Sequence, residues 1–533
     1  MEGVKFSLAR LNARNLQVWL RNFVQQVRER KGFVLLLLGY LVVYRLYSAI
    51  VTVPSSLKHL KATNRIKDYQ YMLQGKPADV RKRLSALPVL RQTGSGVFLS
   101  GDRGVWTVAV AEPKAARTLL MKTSIFPKTI FANRPRGDII EKWLGKDNIV
   151  NSNGDTWKKH RKPANPAFHK AMPINLFGRL TKTFFKQVEL ENNRVHVNKI
   201  MQRFTLDAIG NGAFDFDFQA LEKPDSKEIR AYNNVMHIIF DPLNFVIPWL
   251  DAFLSKVSRA RRDVHDQVDL LNDVLAKMIA KKKQSMKEGN GAGIADEDKD
   301  LLTMMLVANH EEVDGSKRLT DAQLRSDLAI FFVAGHDTTS NALTFALYHL
   351  AVNPGVQHKA REECIRVLGD TPQDIVPTAE QIKELTYTSQ IIQETLRLNP
   401  PAQGTSQRLV AEDTELGGYF IPKGSMAALD IWSLHHNPNV WDDPETWNPD
   451  RFAPGGEYES KDSYSWLPFG HGQRQCIGMQ FSLAEQRVFL SMLLRKYEIS
   501  LPADSIHAKG LVITPQFGVL SADNLIVDLK PRY

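Results

Sequence analysis

Cysteine is scarce in this chain, which has only Cys364 and Cys476 among its 533 residues. Two cysteines cannot build a disulfide framework, and a low cysteine content is typical of proteins in a reducing compartment. No zinc-ligand spacing or RNA-binding motif occurs, so we predict no nucleic-acid partner in spite of the net charge of +11. The charge then favours an anionic membrane surface or an acidic protein partner. No repeat period is present, which excludes a solenoid.

Long apolar runs are also rare, and the one of membrane length lies near the N-terminus. It begins at Phe33, is interrupted only by Arg45, and ends before Pro54. We predict three segments, which are a basic amphipathic segment at 1–31, a membrane anchor helix at 32–53 and one large domain at 54–533. By the positive-inside rule, the seven Lys and Arg residues of the first segment would place that segment in the cytosol. A single membrane span would then place the large domain in the lumen, which conflicts with a cytosolic large domain.

One of the two cysteines lies in an unusually glycine-rich stretch, FGHGQRQCIG, at residues 469–478. Glycine lets the backbone approach a flat object closely, and backbone N–H groups can then point at the Cys476 sulfur. A thiolate is a soft metal ligand, and haem iron is one of its partners. The alternative is a structural cysteine, since a lone cysteine is commonly buried and inert. The spacing F-x-x-G-x-R-x-C-x-G favours the ligand.

Trp157 and Arg161 form a second motif, W-x-x-x-R, on a segment whose helix we expect Asp155 or Thr156 to cap. Residues four apart share a helix face, and an indole N–H together with a guanidinium suits a carboxylate. The alternative is an amphipathic helix with a surface arginine. The segment also carries further basic residues, which are Lys158, Lys159, His160 and Lys162.

A capping box at Thr320 and Gln323 predicts a long apolar helix that runs to about Asn353, which makes it roughly 50 Å long. In its middle lies AGHDTT at residues 334–339, and such poor helix formers inside a buried helix indicate function. The alternative is a satisfied buried polar pair.

Three residues of this motif suggest particular roles. Gly335 would leave room for a flat ring or a small ligand. Thr338 could bond the carbonyl four residues back, or a water, and Asp337 could pass protons.

The remaining patterns predict local structure. We expect strands at 96–99 and 105–110, a loop at 126–150, one helix from Ala379 through Glu394 and Arg397, a hairpin at 416–424 and an apolar helix at 481–497. Glu394 and Arg397 can pair at i, i+3, although such pairs are common and weak on surfaces.

Taken together, these motifs resemble the cytochrome P-450 superfamily. The haem-thiolate signature of that family is matched at Phe469, Gly472, Arg474, Cys476 and Gly478. The W-x-x-x-R, A-G-x-D-T-T and E-x-x-R motifs, the segment around Arg451 and the cysteine stretch follow in the family's order, over roughly residues 55–533. The resemblance is greatest to microsomal eukaryotic members, fungal ones in particular. It implies a mainly α fold with small β-sheets, a triangular α-rich domain with haem between the long helix and the cysteine loop.

The resemblance also implies a role for each site residue. Cys476 would be the iron ligand, Phe469 would pack beneath it, and Asp337 and Thr338 would be catalytic in delivering protons. The other expected haem-binding residues are Trp157, Arg161, Ala334, Gly335, Arg408, Gly472, Arg474 and Gly478. Arg451 would join Glu394 and Arg397 in a structural triad that supports the cysteine loop.

The activity implied is that of a monooxygenase with haem b, which inserts one atom of O2 into a C–H bond of a lipophilic substrate. Electrons would come from NADPH through cytochrome P-450 reductase, with cytochrome b5 as an additional candidate partner. A steroid or terpenoid is the first substrate candidate, and a fatty acid is the alternative, because A-G-H-D-T-T also occurs in family members that hydroxylate fatty acids. A haem-thiolate isomerase or dehydratase, and a non-catalytic haem-binding protein, are disfavoured by the intact Asp337 and Thr338.

We expect the protein at the endoplasmic reticulum membrane with its catalytic domain in the cytosol. A mitochondrial membrane is the alternative, since an Arg-rich amphipathic N-terminus resembles a transit peptide. The apolar stretch 238–250 could contact the membrane and admit substrate. The expected pocket lining is largely apolar and includes Ala334, Gln403, Thr405 and Val512.

Overall fold

The computed structural model describes residues 51–101, 104–129, 137–169, 172–241, 247–288, 300–515 and 518–533, together with a few positions between 25 and 48. The chain divides into two compact units, Met1–Ser55 and Ser56–Tyr533, and the second contains every motif described above. The predicted segments at 1–31 and 32–53 lie almost wholly outside the described residues. Within the described part of the chain, no helix is both long and apolar enough to cross a membrane.

The second unit is built mainly from α-helices. In chain order these are α1 (Arg65–Leu73), α2 (Ala78–Thr93), α3 (Pro113–Met121), α4 (Ile139–Leu144), α5 (Gly154–His169), α6 (Ile174–Leu190), α7 (Val197–Phe214), α8 (Lys227–Ile239), α9 (Pro248–Val257), α10 (Arg259–Lys287), α11 (Leu301–Glu311), α12 (Asp321–Val352), α13 (Pro354–Leu368), α14 (Ala379–Glu384), α15 (Thr386–Leu398), α16 (Ile431–His435) and α17 (Met479–Lys496).

The strands are short and form small sheets. They are β1 (Val97–Ser100), β2 (Thr107–Val110), β3 (Arg194–His196), β4 (Arg408–Leu409), β5 (Thr414–Leu416), β6 (Tyr419–Ile421), β7 (Met426–Leu429), β8 (Tyr497–Ser500) and β9 (Ile526–Pro531). A four-stranded sheet has the order β1-β2-β7-β4, with β2 and β7 parallel and its other pairs antiparallel. A three-stranded sheet has the order β3-β9-β8, and β5 pairs with β6. The predicted strands at 96–99 and 105–110 and the hairpin at 416–424 are confirmed.

The long helix α12 forms the centre of the unit. The predicted capping box is present, since the Gln323 N–H bonds the Thr320 hydroxyl and the Thr320 N–H bonds the Gln323 side chain. The helix runs for 32 residues and is buried along most of its length, with α7 packed against it. Its amphipathic signal is weak because neighbouring elements cover it on several sides.

Two local predictions were wrong. The expected loop at 126–150 contains helix α4, which is only six residues long and therefore leaves little periodic signal. The single helix expected from Ala379 is two helices, α14 and α15, which break at Leu385. The break is stabilised by the buried carboxylate of Glu363, which accepts the backbone N–H groups of Tyr387 and Thr388 at 2.7 and 2.8 Å.

Candidate active site

Residues 469–478, here called the cysteine loop, form a tight turn because two glycines take backbone angles that other residues rarely adopt. Gly470 and Gly472 have φ values of 65° and 72°. A Cβ atom at Gly472 would also lie 2.8 Å from the sulfur of a methionine on α3. The Cys476 N–H donates to the Phe469 carbonyl at 2.9 Å, which closes the loop ahead of the thiol.

The segment before the cysteine loop is anchored to α15 and α16. The Trp466 indole N–H donates to the Gln393 carbonyl at 3.0 Å, and the Leu467 N–H donates to His435 Nε2 at 2.9 Å. Burial lowers the pKa of His435 to about 3, so the ring is neutral and its Nε2 can accept. Its Nδ1 donates to the Arg397 carbonyl at 3.0 Å. The imidazole therefore links α15 to the loop in one tautomer.

Glu394, Arg397 and Arg451 form the predicted triad, and it is buried rather than exposed. Two guanidinium nitrogens of Arg397 donate to the Glu394 carboxylate at 2.7 and 2.9 Å, and both side chains are fully buried. Arg451 Nε lies 3.4 Å from the same carboxylate. Arg397 also donates to the Pro444 and His435 carbonyls, so the triad ties α15 to the chain that leads to the cysteine loop.

The Cys476 thiol is closely surrounded by protein atoms. It keeps accessible surface although protein surrounds it, and this enclosure raises the pKa of the thiol. The Gly478 N–H and the Arg161 guanidinium act in the opposite direction and lower the pKa of Cys476. Gly478 itself has an ordinary φ of −84° at the start of α17. The sulfur therefore sits where a soft cation could bind it and where hydrogen bonding stabilises the thiolate.

Four cationic side chains, those of Lys128, Arg161, Arg408 and Arg474, lie close to one another, and Arg161 among them also acts on the thiol. Burial lowers the pKa of both Arg408 and Arg474 to about 10, and for Arg474 the charges of Arg408 and Arg161 add to the effect. Burial, and then Arg474, Arg408 and Arg161, lower the pKa of Lys128 to about 7. Such mutual repulsion indicates a binding site for an anion.

Hydrogen bonding in this cationic cluster is incomplete. Arg408 Nη1 donates to the Phe126 carbonyl at 3.0 Å, and Arg474 Nη2 donates to the Ser152 carbonyl at 2.7 Å. Within the described part of the chain, Arg408 Nε and Arg474 Nη1 are buried without any partner. No carboxylate among the described residues lies within 4.0 Å of the cluster's charged groups. Orphaned cationic donors of this kind require an acceptor that carries negative charge.

Helix α5 brings the W-x-x-x-R pair to this cluster. The Arg474 guanidinium stacks over the Trp157 ring with 4.1 Å between its carbon and the ring centroid. Arg161 Nη1 donates to the Gln475 carbonyl of the cysteine loop at 3.2 Å. The helix begins at Gly154, so neither Asp155 nor Thr156 is the residue before it, and both lie within its first turn.

On α12, the AGHDTT motif is divided between two faces. Ala334 and Thr338 keep accessible surface on a helix that is otherwise mostly buried, and the Thr338 hydroxyl donates to the Ala334 carbonyl at 2.8 Å, as predicted. Asp337 points elsewhere, because its carboxylate accepts from the Tyr232 hydroxyl of α8 at 3.0 Å and from the Gln202 amide of α7 at 3.3 Å. Adjacent helical residues differ by about 100° around the axis, which separates the two side chains.

The structure gives a reason for a glycine at position 335 that differs from the predicted one. A Cβ atom there would lie 2.9 Å from Ile209 Cδ1 on α7, so the glycine allows α12 and α7 to pack closely. The Cβ position of Gly335 therefore points at a neighbouring helix. In that direction the glycine leaves no room for a ring, although we expected it to do so.

Two contacts join α12 to the elements that carry the other motifs. The Thr339 and Ser482 hydroxyls are 2.9 Å apart and link α12 to α17, which follows the cysteine loop. His160 Nδ1 lies 2.7 Å from the Asp327 carboxylate, so α5 is tied to α12 by a fully buried pair. Burial raises the pKa of Asp327, while His160 lowers it.

Sequence reasoning did not assign a role in the site to Lys128 or His160. A single lysine in a loop gives no pattern, and His160 was counted with the basic surface of its segment.

A separate groove of 580 Å³ lies at the turn between β5 and β6, and its lining includes Gly96, Glu112 and Tyr419. None of the candidate site residues named in this subsection lines this groove.

The comparisons with known proteins decide the family. A model of the family Cytochrome P450 matches residues 74–517, which is most of the chain. The chain belongs to the cytochrome P450 family. Membership makes it a monooxygenase, an oxidoreductase, and confirms the resemblance and the mainly α fold with small sheets.

Several cytochromes P450 are similar to this chain. Cytochrome P450 4A6 of Oryctolagus cuniculus is 31% identical over 366 residues, which cover 67% of this chain and 70% of that protein. Taurochenodeoxycholic 6 alpha-hydroxylase of Sus scrofa is 30% identical over 71% of this chain and 75% of its own. Protein LUTEIN DEFICIENT 5, chloroplastic, of Arabidopsis thaliana is 29% identical over 84% and 77%. The crystal structure of the cytochrome P450DA heme domain superposes with a TM-score of 0.72 and 25% identity, over 89% of this chain and 98% of that chain.

Haem is the group that a cytochrome P450 implies, and the residues present fit it. The enclosed Cys476 sulfur can serve as the iron ligand. The unpartnered nitrogens of Arg408 and Arg474, with Arg161 and Lys128 beside them, suit the two carboxylates of the porphyrin.

Proposed function

We propose that this protein is a haem-thiolate monooxygenase that hydroxylates a lipophilic substrate, with a steroid or terpenoid as the first candidate. The observation that carries the proposal is the enclosed Cys476 sulfur, on which Arg161 acts, together with a cluster of four cations that has no carboxylate partner among the described residues. The net reaction takes R–H, O2, two electrons and two protons to R–OH and water. Haem b, when bound, supplies the oxygen chemistry.

The residues of the chain divide the remaining tasks. Cys476 would hold the iron through its thiolate, and the Gly478 N–H and the Arg161 charge would moderate the electron density on the sulfur. Trp157 orients Arg474 through the stacked contact, and the guanidinium would bind a porphyrin carboxylate. Thr338 presents its hydroxyl on the accessible face of α12 and is placed to hold a proton or a water there.

The choice of a steroid or terpenoid rests on the expected lining and on one relative. The expected lining at Ala334, Gln403, Thr405 and Val512 is largely free of charge. The name of the Sus scrofa relative states 6α-hydroxylation of a taurochenodeoxycholic substrate, which has a steroid skeleton. At 30% identity, such a relative supports the class of substrate but not the carbon atom that is hydroxylated.

A fatty acid is the second candidate. It is favoured by the motif AGHDTT at residues 334–339, which also occurs in family members that hydroxylate fatty acids. A long-chain acid and a steroid both suit an apolar cavity, and they differ by a carboxylate that would need a cation near the entrance.

Electrons are proposed to come from NADPH through cytochrome P-450 reductase, with cytochrome b5 as a further candidate. Lys158 and Lys162 on α5 support a docking surface for an acidic partner, because their side chains are 70% and 74% exposed beside the haem-binding residues. Their ion pairs with Asp155 and Glu312 would have to give way to such a partner. We propose the endoplasmic reticulum membrane as the location, with a cytosolic catalytic domain, and a mitochondrial membrane as the alternative.

The test is a binding titration of the purified, haem-loaded protein with sterols, terpenes and fatty acids, followed by turnover with NADPH and reductase. A spin-state shift and a hydroxylated product with a sterol or terpene support the first candidate. The same two results with a fatty acid alone would establish the second. Conversion of a lipid hydroperoxide itself into an isomer or a dehydration product, without O2 or reductase, would instead indicate an isomerase or dehydratase.

A further inference from the structure

The buried carboxylate of Asp327, on α12, is bound by two segments of the chain that both lead to the cationic cluster. Its Oδ2 lies 2.7 Å from His160 Nδ1 on α5, and its Oδ1 accepts the Ile149 N–H at 2.8 Å. The side chains of Asp327 and His160 are both fully buried. Within the described part of the chain, His160 Nε2 has no partner, so the ring is held by its hydrogen bond to Asp327 alone. A buried carboxylate that loses a partner is costly, so this contact resists displacement of either segment.

The first of the two segments is 149–153, which precedes α5 and contacts two members of the cluster. The Asn153 side chain accepts the Lys128 N–H at 3.0 Å and donates to the Lys128 carbonyl at 2.9 Å. The Ser152 carbonyl accepts Arg474 Nη2 at 2.7 Å. The bond from Ile149 to Asp327 therefore fixes a segment that holds the backbone of Lys128 and the guanidinium of Arg474.

The second segment is α5 itself. Its Trp157 ring stacks on the Arg474 guanidinium at 4.1 Å, and its Arg161 donates to a carbonyl of the cysteine loop at 3.2 Å. Residues three or four apart share a side of a helix, so a bond at His160 restrains rotation of the face that carries Trp157 and Arg161. Among the described residues, no hydrogen bond or ion pair other than that of His160 with Asp327 joins α5 to α12.

The cations of the cluster need such restraint because they repel one another. Burial, and then the charges of three arginines, lower the pKa of Lys128 to about 7. The two segments bound to Asp327 hold three of the four cations, which are Lys128, Arg161 and Arg474. A site whose charges are already in place binds its ligand more tightly, because less conformational freedom is lost on binding.

We propose that the His160–Asp327 pair is the anchor of the cationic cluster and positions Lys128, Arg161 and Arg474 to receive the haem carboxylates. The inference rests on the proposed haem-thiolate function and deepens it, because it assigns two further residues to retention of the haem. Both are positioning residues, since they act through the three cations and through the segments that carry them.

Transfer of haem from the loaded protein to apomyoglobin at pH 6 tests the anchor without any turnover. His160→Leu removes the hydrogen bond to Asp327, and we expect transfer to become about tenfold faster. His160→Asn places an amide nitrogen near the position of Nδ1, so its rate should stay within about twofold of the wild type. The control is His349→Leu, which also removes a buried imidazole of α12 or its neighbours, in this case one that bonds Asn399 at 2.7 Å.

A double-mutant cycle with Lys128→Met separates positioning of the cluster from overall stability. In the wild type, Lys128→Met should speed haem transfer about tenfold, because it removes a charged partner of the carboxylates. In His160→Leu the lysine is no longer held in place, and the same substitution should change the rate less than about twofold. In His349→Leu it should again act about tenfold. Equal effects of Lys128→Met in all three backgrounds would show that the pair acts on stability alone and would overturn the proposal.

The outcome does not depend on whether one variant folds. If His160→Leu gives no folded protein by circular dichroism, the double variant His160→Leu with Asp327→Asn replaces it. That variant leaves no unpaired carboxylate and keeps an acceptor for the Ile149 N–H, and we expect the same faster transfer. Transfer at the wild-type rate in the folded variant overturns the anchor and leaves the proposed function standing. A wild type that binds no haem overturns the proposed function and the anchor with it.

Discussion

At the scale of single residues, the charge of Lys128 depends on whether an anion occupies the cationic cluster. The pKa of Lys128 is lowered to about 7 by burial and by three arginines, so above that pH the free lysine is mostly neutral. A bound dicarboxylate favours the protonated form and raises this pKa. At Lys128, binding of haem therefore takes up a proton above pH 7 and none below it.

We predict that Lys128 contributes a fall in haem affinity of up to tenfold per pH unit above about pH 7, until the raised pKa of the complex is reached. The Cys476 thiol contributes in the opposite direction, because it loses a proton to bind as the thiolate. Lys128→Met should weaken binding at pH 6 and remove this part of the pH dependence. Transfer of haem to apomyoglobin, followed between pH 6 and 9, measures both effects. Lys122→Met, at an exposed lysine of the same segment, is the control, and equal pH slopes in the wild type and Lys128→Met would contradict the assignment.

The site residues differ in how far sequence could assign them. Cys476, Arg474 and Gly472 were found because a loop that closes on a thiol needs fixed residues at fixed spacing. Lys128 could not be found, because its role depends on a pairing between a loop and strand β4, in which the backbone of Lys128 forms an antiparallel bridge with that of Arg408. Asp337 was found as a residue, but its direction toward α8 depends on how helices pack, which one sequence does not encode locally.

At the scale of elements, the packing of α12 against α7 depends on the missing side chain at Gly335. We predict that Gly335→Ala lowers the free energy of unfolding by up to about 2 kcal/mol, because overlap of its methyl group with Ile209 costs about 1–3 kcal/mol and the higher helix propensity of alanine returns about 1 kcal/mol. Gly355→Ala on α13 is the matched control, since nothing lies within 4 Å of its Cβ position. Denaturant unfolding followed by circular dichroism measures both, and the account predicts a loss for the first variant only.

The buried triad should matter to the cysteine loop far more than a surface pair of the same chemistry. Arg397→Met leaves the Glu394 carboxylate buried with its main partner gone, and we expect a loss of about 3–5 kcal/mol. Lys530→Met breaks an exposed pair with Glu498 and should cost about 0–1 kcal/mol. Urea midpoints compare the two variants, and similar losses would show that the triad is not structural.

The elements that sequence predicted well are those with strong local signals. Helix α12 has a capping box and a long apolar run, and the β5–β6 turn has two glycines with φ of 59° and 80°. The break between α14 and α15 was missed, because it depends on Glu363, which reaches from α13 to cap the second helix. The Glu394–Arg397 pair was visible, but its burial was not.

At the scale of the whole molecule, the net charge of +11 and one exposed apolar helix face suggest contact with an anionic membrane. Trp249, Phe253 and Val257 are spaced four apart on α9 and are 61%, 53% and 60% exposed. They lie at the end of the apolar stretch 238–250 and just after it, and residues 242–246 of that stretch are outside the described part of the chain.

We predict that α9 inserts into lipid and that the exposed Val313 does not. A dye attached to Phe253→Cys should be quenched by brominated lipids in anionic vesicles. The same dye on Val313→Cys, at a residue that is 94% exposed near α11, should not be quenched. Equal quenching at the two positions would contradict an orientation with α9 at the membrane.

The central claim is that Cys476 binds haem iron through its thiolate, and the reduced carbon monoxide spectrum tests it most directly. The account predicts that the wild type shows the long-wavelength Soret band of a thiolate–carbon monoxide complex and that Cys476→Ser loses it. Cys364→Ser should keep the band, because Cys364 is buried and enclosure raises the pKa of its thiol to about 12. A wild-type band at the shorter wavelength of an imidazole-ligated haem, or an unchanged band in Cys476→Ser, would contradict the account.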